Sequence, residues 1–261
     1  MADRLSRFVA PVILGVIVLA LWEATVRAWN IPPYLLPGPI LILRTLITDW
    51  STLMESWWIT MSISLAALTV AVVLGVFLAV LFASSKWIEQ SFFPYAVILQ
   101  VTPIVAIAPL IIIWVNDVKL SLLICAWIVA FFPILSNTTV GLNSADLNLV
   151  DLFRLYRAKW WQTLLHLKLP AAMPYFLAGL RISGGLSLIG AVVAEFVAGT
   201  GGTSSGLAYR ILESGYQLRI PRMFAALLLI SASGILLFLA LSLLSHLCLR
   251  RWHESAIKRE G

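Results

Sequence analysis

The residues of this chain that could carry chemistry are few, and their spacing excludes more than it offers. His166, His246 and His253 form no HExxH or comparable ligand pattern. Cys125 and Cys248 stand in apolar runs without partners at disulfide or metal spacing, and both read as small buried hydrophobes. The stretch GTGGTSSG, residues 199–206, is glycine-rich but lacks the Gly-Lys-Ser/Thr ending that cradles a nucleotide phosphate. ISGGL, Ile182 to Leu186, lies inside an apolar run. No nucleophile, acid and metal ligand converge, so no catalytic residue, metal or resident cofactor is expected.

What remains is a handful of polar groups placed where polar groups are costly. Glu23, Arg181 and Glu195 fall within or near the ends of apolar stretches, where ionisable groups are expensive and often functional. Glu23 and Arg181 read as snorkelling side chains or interfacial pairs. Glu195, beside GTGGTSSG, reads either as a pathway or gating residue or as a partner in a structural hydrogen bond. Gln100, Thr102, Pro103 and Pro109 interrupt another run, and the prolines free carbonyls that need other partners or a water-filled cavity. That kink either lines a pathway or serves packing. Gln100, Pro103 and Glu195 are therefore the candidate translocation-pathway residues. Gly179, Gly184, Gly185 and Gly190 permit close helix approach, within the chain or at a dimer seam.

The elements that must position these groups are membrane spans. The chain has 261 residues, 61% hydrophobic and 11% charged, whereas a soluble domain is about half apolar and about a quarter charged. Most of its surface must meet lipid rather than water. Six stretches reach the roughly 20 apolar residues a crossing needs, at about 9–28, 57–83, 92–115, 120–140, 172–197 and 223–249. They are too long and continuous for barrel strands, and helices alone satisfy their own backbone in lipid. The expected fold is all-α and polytopic, a single transmembrane domain over residues 1–261 with six transmembrane helices. Arg4 and Arg7 precede the first run, but no small-residue cleavage site follows, so that run reads as a retained span.

Lys and Arg set the orientation. With a cytoplasmic N-terminus, eleven of them fall inside, at Arg4, Arg7, Lys86, Arg154, Arg157, Lys159, Lys168, Arg250, Arg251, Lys258 and Arg259. Six fall outside, at Arg27, Arg44, Lys119, Arg210, Arg219 and Arg222. Both termini are therefore expected in the cytoplasm, with a C-terminal tail at about 250–261. The net charge of +6 is spread over these loops and does not point to nucleic acid.

Between the fourth and fifth spans lies a basic, amphipathic stretch, DLFRLYRAKWWQTLLHLKLPAAMP, Asp151 to Pro174. Leu152, Phe153, Leu155 and Tyr156 form one apolar cluster, and Trp160, Trp161, Leu164 and Leu165 a second at helical spacing. The spacing predicts two short helices with an elbow near Arg157 to Lys159. Pro170 then sits in the first turn of the next span, where a missing N–H costs little. Such a pair either lies on anionic lipid or offers Trp, Tyr and Arg as anchors to a soluble partner.

This stretch, taken as a loop of about 144–169, resembles the EAA loop of bacterial ABC-importer permeases. Leu169 and Pro170 match its closing Leu-Pro, and Leu167 takes its isoleucine position. Asp151 replaces its glutamate, Leu152 and Phe153 its two alanines, and Arg157 its glycine. An arginine enters the left-handed conformation less cheaply than glycine. Further stretches resemble the nitrate, sulfonate and taurine subgroup and permeases for pyrimidine precursors of thiamine. These are WEATVRAWNIPPYLLPGPILIL, QVTPIVAIAPLIIIW, LPAAMPYFLAGLRISGGLSLIGAVVAEFVAG and SSGLAYRI.

The resemblance implies a bacterial inner-membrane permease with six transmembrane helices, working as a homodimer. A cytoplasmic coupling-helix elbow between helices 4 and 5 would dock a separate ATPase. The residues carried over to that role are Asp151, Leu152, Arg154, Arg157, Leu167, Leu169 and Pro170. ATP and Mg would be bound by the ATPase, and a periplasmic binding protein would deliver a small polar or anionic organic nutrient. The competing class is an ion-coupled secondary transporter, which would want paired acids or broken helices in both halves near the midplane.

Overall fold

The computed structural model describes residues 2–199 and 205–250. The expected tail beyond residue 250 and residues 200–204 of the glycine-rich loop lie outside the described residues. Every regular element described is helical. In chain order these are α1 (Ala2–Ala28), α2 (Pro39–Thr48), α3 (Trp50–Ser84), α4 (Lys86–Val101), α5 (Ile104–Val115) and α6 (Val118–Leu142). There follow α7 (Leu147–Leu155), α8 (Trp160–Thr163), a π turn (Leu164–Lys168), α9 (Leu169–Ala198), α10 (Leu207–Tyr216) and α11 (Ile220–Leu249).

Five helical stretches are long and apolar enough to cross a bilayer: Val9–Ala28, Trp50–Ser84, Val118–Leu142, Trp160–Ala198 and Ile220–Leu249. A sixth exists if α4 and α5 together count as one span. The sequence suggests a single run there, but the chain bends by 100° between them. The cause is local. Pro103 pushes the residue before it out of the helical region, and Thr102 (ψ 123°) and Pro103 (ψ 114°) are both extended. The kink anticipated from the prolines is therefore a corner.

The centre of the bundle is the pair α6 and α9, with α3 packed against both. Small residues set this seam. A Cβ on Gly179 would stand 2.7 Å from the Pro133 carbonyl oxygen, so only glycine fits. Ser183 Oγ donates to the Ala130 carbonyl at 2.6 Å, satisfying a hydroxyl that would otherwise be costly away from water. Leu53, Leu122, Ile134, Leu135, Leu142 and Leu177 fill the interior around it. The apolar stretch of α1, by contrast, shows its residues outward, from Val12 to Leu21, as a span bathed in lipid would.

The fifth crossing differs from the expected layout in a consequential way. The second short helix and the fifth span are one continuous helix, Trp160–Ala198. Pro170 should interrupt it, because its ring meets the carbonyl of residue 166 and it has no N–H to give. The π turn immediately before it widens the backbone, and the Leu169 N–H reaches five residues back to Leu164 O. The helix thus passes the proline instead of breaking.

Substituting Gly179 by Val should overpack the α6–α9 seam. Thermal unfolding in detergent should show a loss of about 1–3 kcal/mol, whereas Gly185→Val, where no atom lies within 4 Å of a Cβ, should stay close to the wild type.

Candidate functional site

The elbow is built by hydrogen bonds the sequence can be made to explain. Asp146 caps α7, its Oδ1 accepting from the Asn148 N–H at 2.8 Å. At the other end the Ala158 N–H donates to Phe153 O and the Arg157 N–H to Arg154 O, both at 2.9 Å. This is the paired closure that ends a helix on a left-handed residue. That residue is Arg157, at φ +53°. The position where the resembling family carries glycine keeps the glycine conformation in this chain, with arginine bearing the cost. Gln162 Oε1 then accepts from the Lys159 N–H at 2.7 Å and opens α8.

Asp151, Leu152, Arg154 and Arg157 all lie exposed on this elbow, while Leu167, Leu169 and Pro170 are half-buried in the helix leaving it. Leu169 and the neighbouring Leu164 pack with Phe82, Phe131 and Leu142. Asp151 and Arg154 form an exposed pair at 3.2 Å, the kind of contact that adds little stability. Leu155 and Tyr156 are each 80% exposed, and Leu147, Trp160 and Trp161 stand out beside them. An open groove of about 490 Å³ lies between Leu152, Phe153, Tyr156, Arg157, Gln162 and His166. The elbow thus presents aromatic, aliphatic and cationic groups with little internal pairing.

A second cluster sits at the far end of the same helix. Glu195 is 3% exposed. Its Oε1 accepts from Thr60 Oγ1 at 2.8 Å and its Oε2 from the Ala208 N–H at 3.0 Å. Thr60 Oγ1 in turn accepts from the Leu207 N–H at 2.9 Å. The two free N–H groups at the start of α10 are therefore held by α9 and α3, and the carboxylate faces the positive end of α10. Gly206 makes this possible, since a Cβ there would collide with the Glu195 carboxylate. Arg210 adds a bond to Ser56 Oγ at 2.9 Å, one turn from Thr60.

The device occurs twice. Glu23 Oε2 accepts from the Ile40 N–H at 3.2 Å in the first turn of α2, and Gly38 is the glycine that admits it. Glu23 also pairs with Arg27 Nε at 2.6 Å. In both cases a carboxylate near the end of a span caps the short helix that follows. Thr60, Ser56, Gly206 and Arg210 were not singled out by the sequence. The four-residue spacing of Ser56, Thr60 and Ser64 in an apolar run was the available signal, since it places three buried hydroxyls on one helix face.

Gln100 and Pro103 lie exposed at the α4–α5 corner. Ile104, next to Pro103, packs into the cluster holding Ala191 and Ala194. No hydrogen bond joins Gln100 to Glu195 among the described residues. Nor do those residues contain a group of three or more His, Cys, Asp or Glu side chains able to hold a metal ion.

The family profile of the binding-protein-dependent transport system inner membrane component matches residues 71–251. The chain belongs to that family. It is a multi-pass inner-membrane permease. A probable ABC transporter permease protein of Haemophilus influenzae is 29% identical over 92% of this permease and 96% of its own length. The formylaminopyrimidine transport permease protein of Halalkalibacterium halodurans is 32% identical over 92% of this permease and 94% of its own length. Other relatives are named as permeases for riboflavin, aliphatic sulfonates, nitrate and taurine. A crystal structure of an amino acid ABC transporter shares the fold, with TM-score 0.62 and 18% identity, over 78% of this chain and 96% of that one.

Replacing Arg157 by glycine should relieve the left-handed backbone and stabilise the permease by about 1 kcal/mol in thermal unfolding, whereas Arg157→Val should destabilise it. Glu195→Ala leaves the Thr60 hydroxyl and the Ala208 N–H without their acceptor. It should cost about 1–3 kcal/mol and raise the proteolytic sensitivity of α10.

Proposed function

We propose that this permease is the membrane subunit of an ATP-driven importer and that the elbow between α7 and α8 docks a separate ATPase in the cytoplasm. The observation that carries this reading is the exposed face at Leu155, Tyr156, Trp160 and Trp161, edged by Arg154 and Arg157, on a helix that runs on without a break to Ala198. Aromatic and arginine anchors of this kind suit a protein interface. The excess of Lys and Arg on the elbow's side places that interface, and both termini, in the cytoplasm.

The helix Trp160–Ala198 gives the docking a mechanical consequence. At 1.5 Å per residue it is roughly 58 Å long. ATP-driven closure of the ATPase displaces the elbow, and the displacement is carried to the end where Glu195 holds α10 and α3. The elbow and the Glu195 cluster are then two ends of one lever between inward-open and outward-open states. A second copy of this chain completes the pathway, with Gln100, Pro103 and Glu195 at its wall or gate. A periplasmic binding protein delivers the solute, a small polar or anionic organic nutrient like those named for the relatives. ATP and Mg belong to the ATPase.

The experiment is uptake into proteoliposomes holding the permease, its co-encoded ATPase and its binding protein. Uptake should require ATP. An ion gradient sufficing without the ATPase would overturn the reading in favour of a secondary transporter. Asp151→Lys or Arg154→Glu should leave the permease inserted and cut binding-protein-stimulated ATP hydrolysis and uptake at least about fivefold, the size a weakened interface anchor of roughly 1 kcal/mol produces. Wild-type stimulation in both variants would remove the docking surface.

A further inference from the structure

Arg181 is the one cation of this permease that stands deep inside a span. It lies roughly 20 Å along α9 from Lys168 and roughly 20 Å from Glu195, taking 1.5 Å per residue. An arginine side chain cannot snorkel that distance to either surface, so the interfacial reading available from sequence does not survive. It is partly exposed and has no hydrogen-bond or ion-pair partner among the described residues, whose salt bridges all involve other cations. It lies on the side of α9 turned away from α6, since Gly179, Ser183 and Gly190 face α6. One turn on, Gly185 leaves open space beside it.

A guanidinium at that depth needs a counter-charge or water, and such residues face a bundle interior or a wet cavity rather than lipid. No carboxylate of this chain can serve. The acids in its span helices are Asp3, Glu23, Glu55, Glu89 and Glu195, each within about two turns of a helix end by the 3.6-residue repeat. Contacts fix the levels of the last four. Glu195 bonds Thr60 of α3, which puts Glu55 at or beyond that end of the bundle. Glu23 bonds Ile40, and α2 packs with Leu207 and Ala225 at the same end. Glu89 lies next to Ile88, which packs with Phe82 and Leu164 at the elbow end. A second copy of the chain, lying at the same depth, would lack a mid-span acid for the same reason.

We infer that Arg181 is a mid-membrane anion site, and that the imported solute crosses with a small oxyanion group, carboxylate, sulfonate or nitrate-like, paired transiently with its guanidinium. The planar fork of donors suits such groups, and Gly185 leaves the room for one. This rests on the transport reading above and narrows its substrate class to anions.

The test needs neither ATPase nor binding protein, so it fails separately from that reading. The full chain in phosphatidylcholine nanodiscs is unfolded thermally while sodium nitrate, methanesulfonate or formate replaces sodium chloride at constant ionic strength. In the wild type at least one oxyanion should raise the midpoint saturably, by several degrees. Arg181→Lys should keep a weaker shift, and Arg181→Gln should abolish it. No oxyanion-specific rise in the wild type would overturn the inference, as would a rise undiminished in both variants. Should Arg181→Gln not fold, the wild type and Arg181→Lys decide between the same outcomes. Loss of ATP-dependent uptake with the oxyanion shift intact would remove the importer reading and leave the site standing.

Discussion

The structure depends on a helix that does not break at a proline. Pro170 can neither donate to the backbone ladder nor share space with the carbonyl four residues earlier. Had the chain answered with a kink, the aromatic segment at Trp160 and the span above it would be separate bodies joined by a hinge. The π turn at Leu164–Lys168 instead opens the backbone by one residue, and the Leu169 N–H finds Leu164 O. The elbow, the seam with α6 and the Glu195 cluster all lie on the single rod that results.

What the rod touches at its two ends differs in kind. At the elbow the contacts are outward and unsatisfied: exposed Leu155 and Tyr156, a solvent-screened Asp151–Arg154 pair and an open groove. At the other end every donor of the Glu195 cluster is matched, with Thr60, Leu207 and Ala208 all bonded. Buried, fully paired polar networks are costly to disrupt, whereas exposed apolar and cationic surface waits for a partner. A lever works when one end is held by the machine and the other is free to be gripped, and the chemistry of the two ends fits those roles.

Much of the fold was legible because lipid imposes a simple rule. Apolar runs of about 20 residues become helices, and the first, second, fourth and sixth runs end within several residues of their expected limits. The turn at Arg157 was legible too, although arginine stands where glycine is expected, because Lys159 to Gln162 and the apolar clusters on either side fix two helices. The 100° corner was only half visible: Pro103 announces a kink, but the size of the bend depends on Thr102 and Pro103 both being extended and on α5 packing against α6 and α9. The continuity through Pro170 was hidden, since nothing in LLHLKLP distinguishes a π turn from a break. The Glu195 cluster was hidden in another way. Glu195 stood out as an acid, but its partners come from positions 60, 207 and 208, and a single sequence carries no signal of that proximity.

The central claim is that the elbow is the cytoplasmic end of the lever and is gripped by the ATPase. It is tested most directly by placing a single cysteine at Leu155 and probing it in sealed vesicles of known sidedness that carry the co-encoded ATPase. Docking requires that the thiol react from the cytoplasmic side and cross-link to the ATPase with a yield that changes when ATP is added. A thiol reached only from the external side, or one that never cross-links to the ATPase, would contradict it.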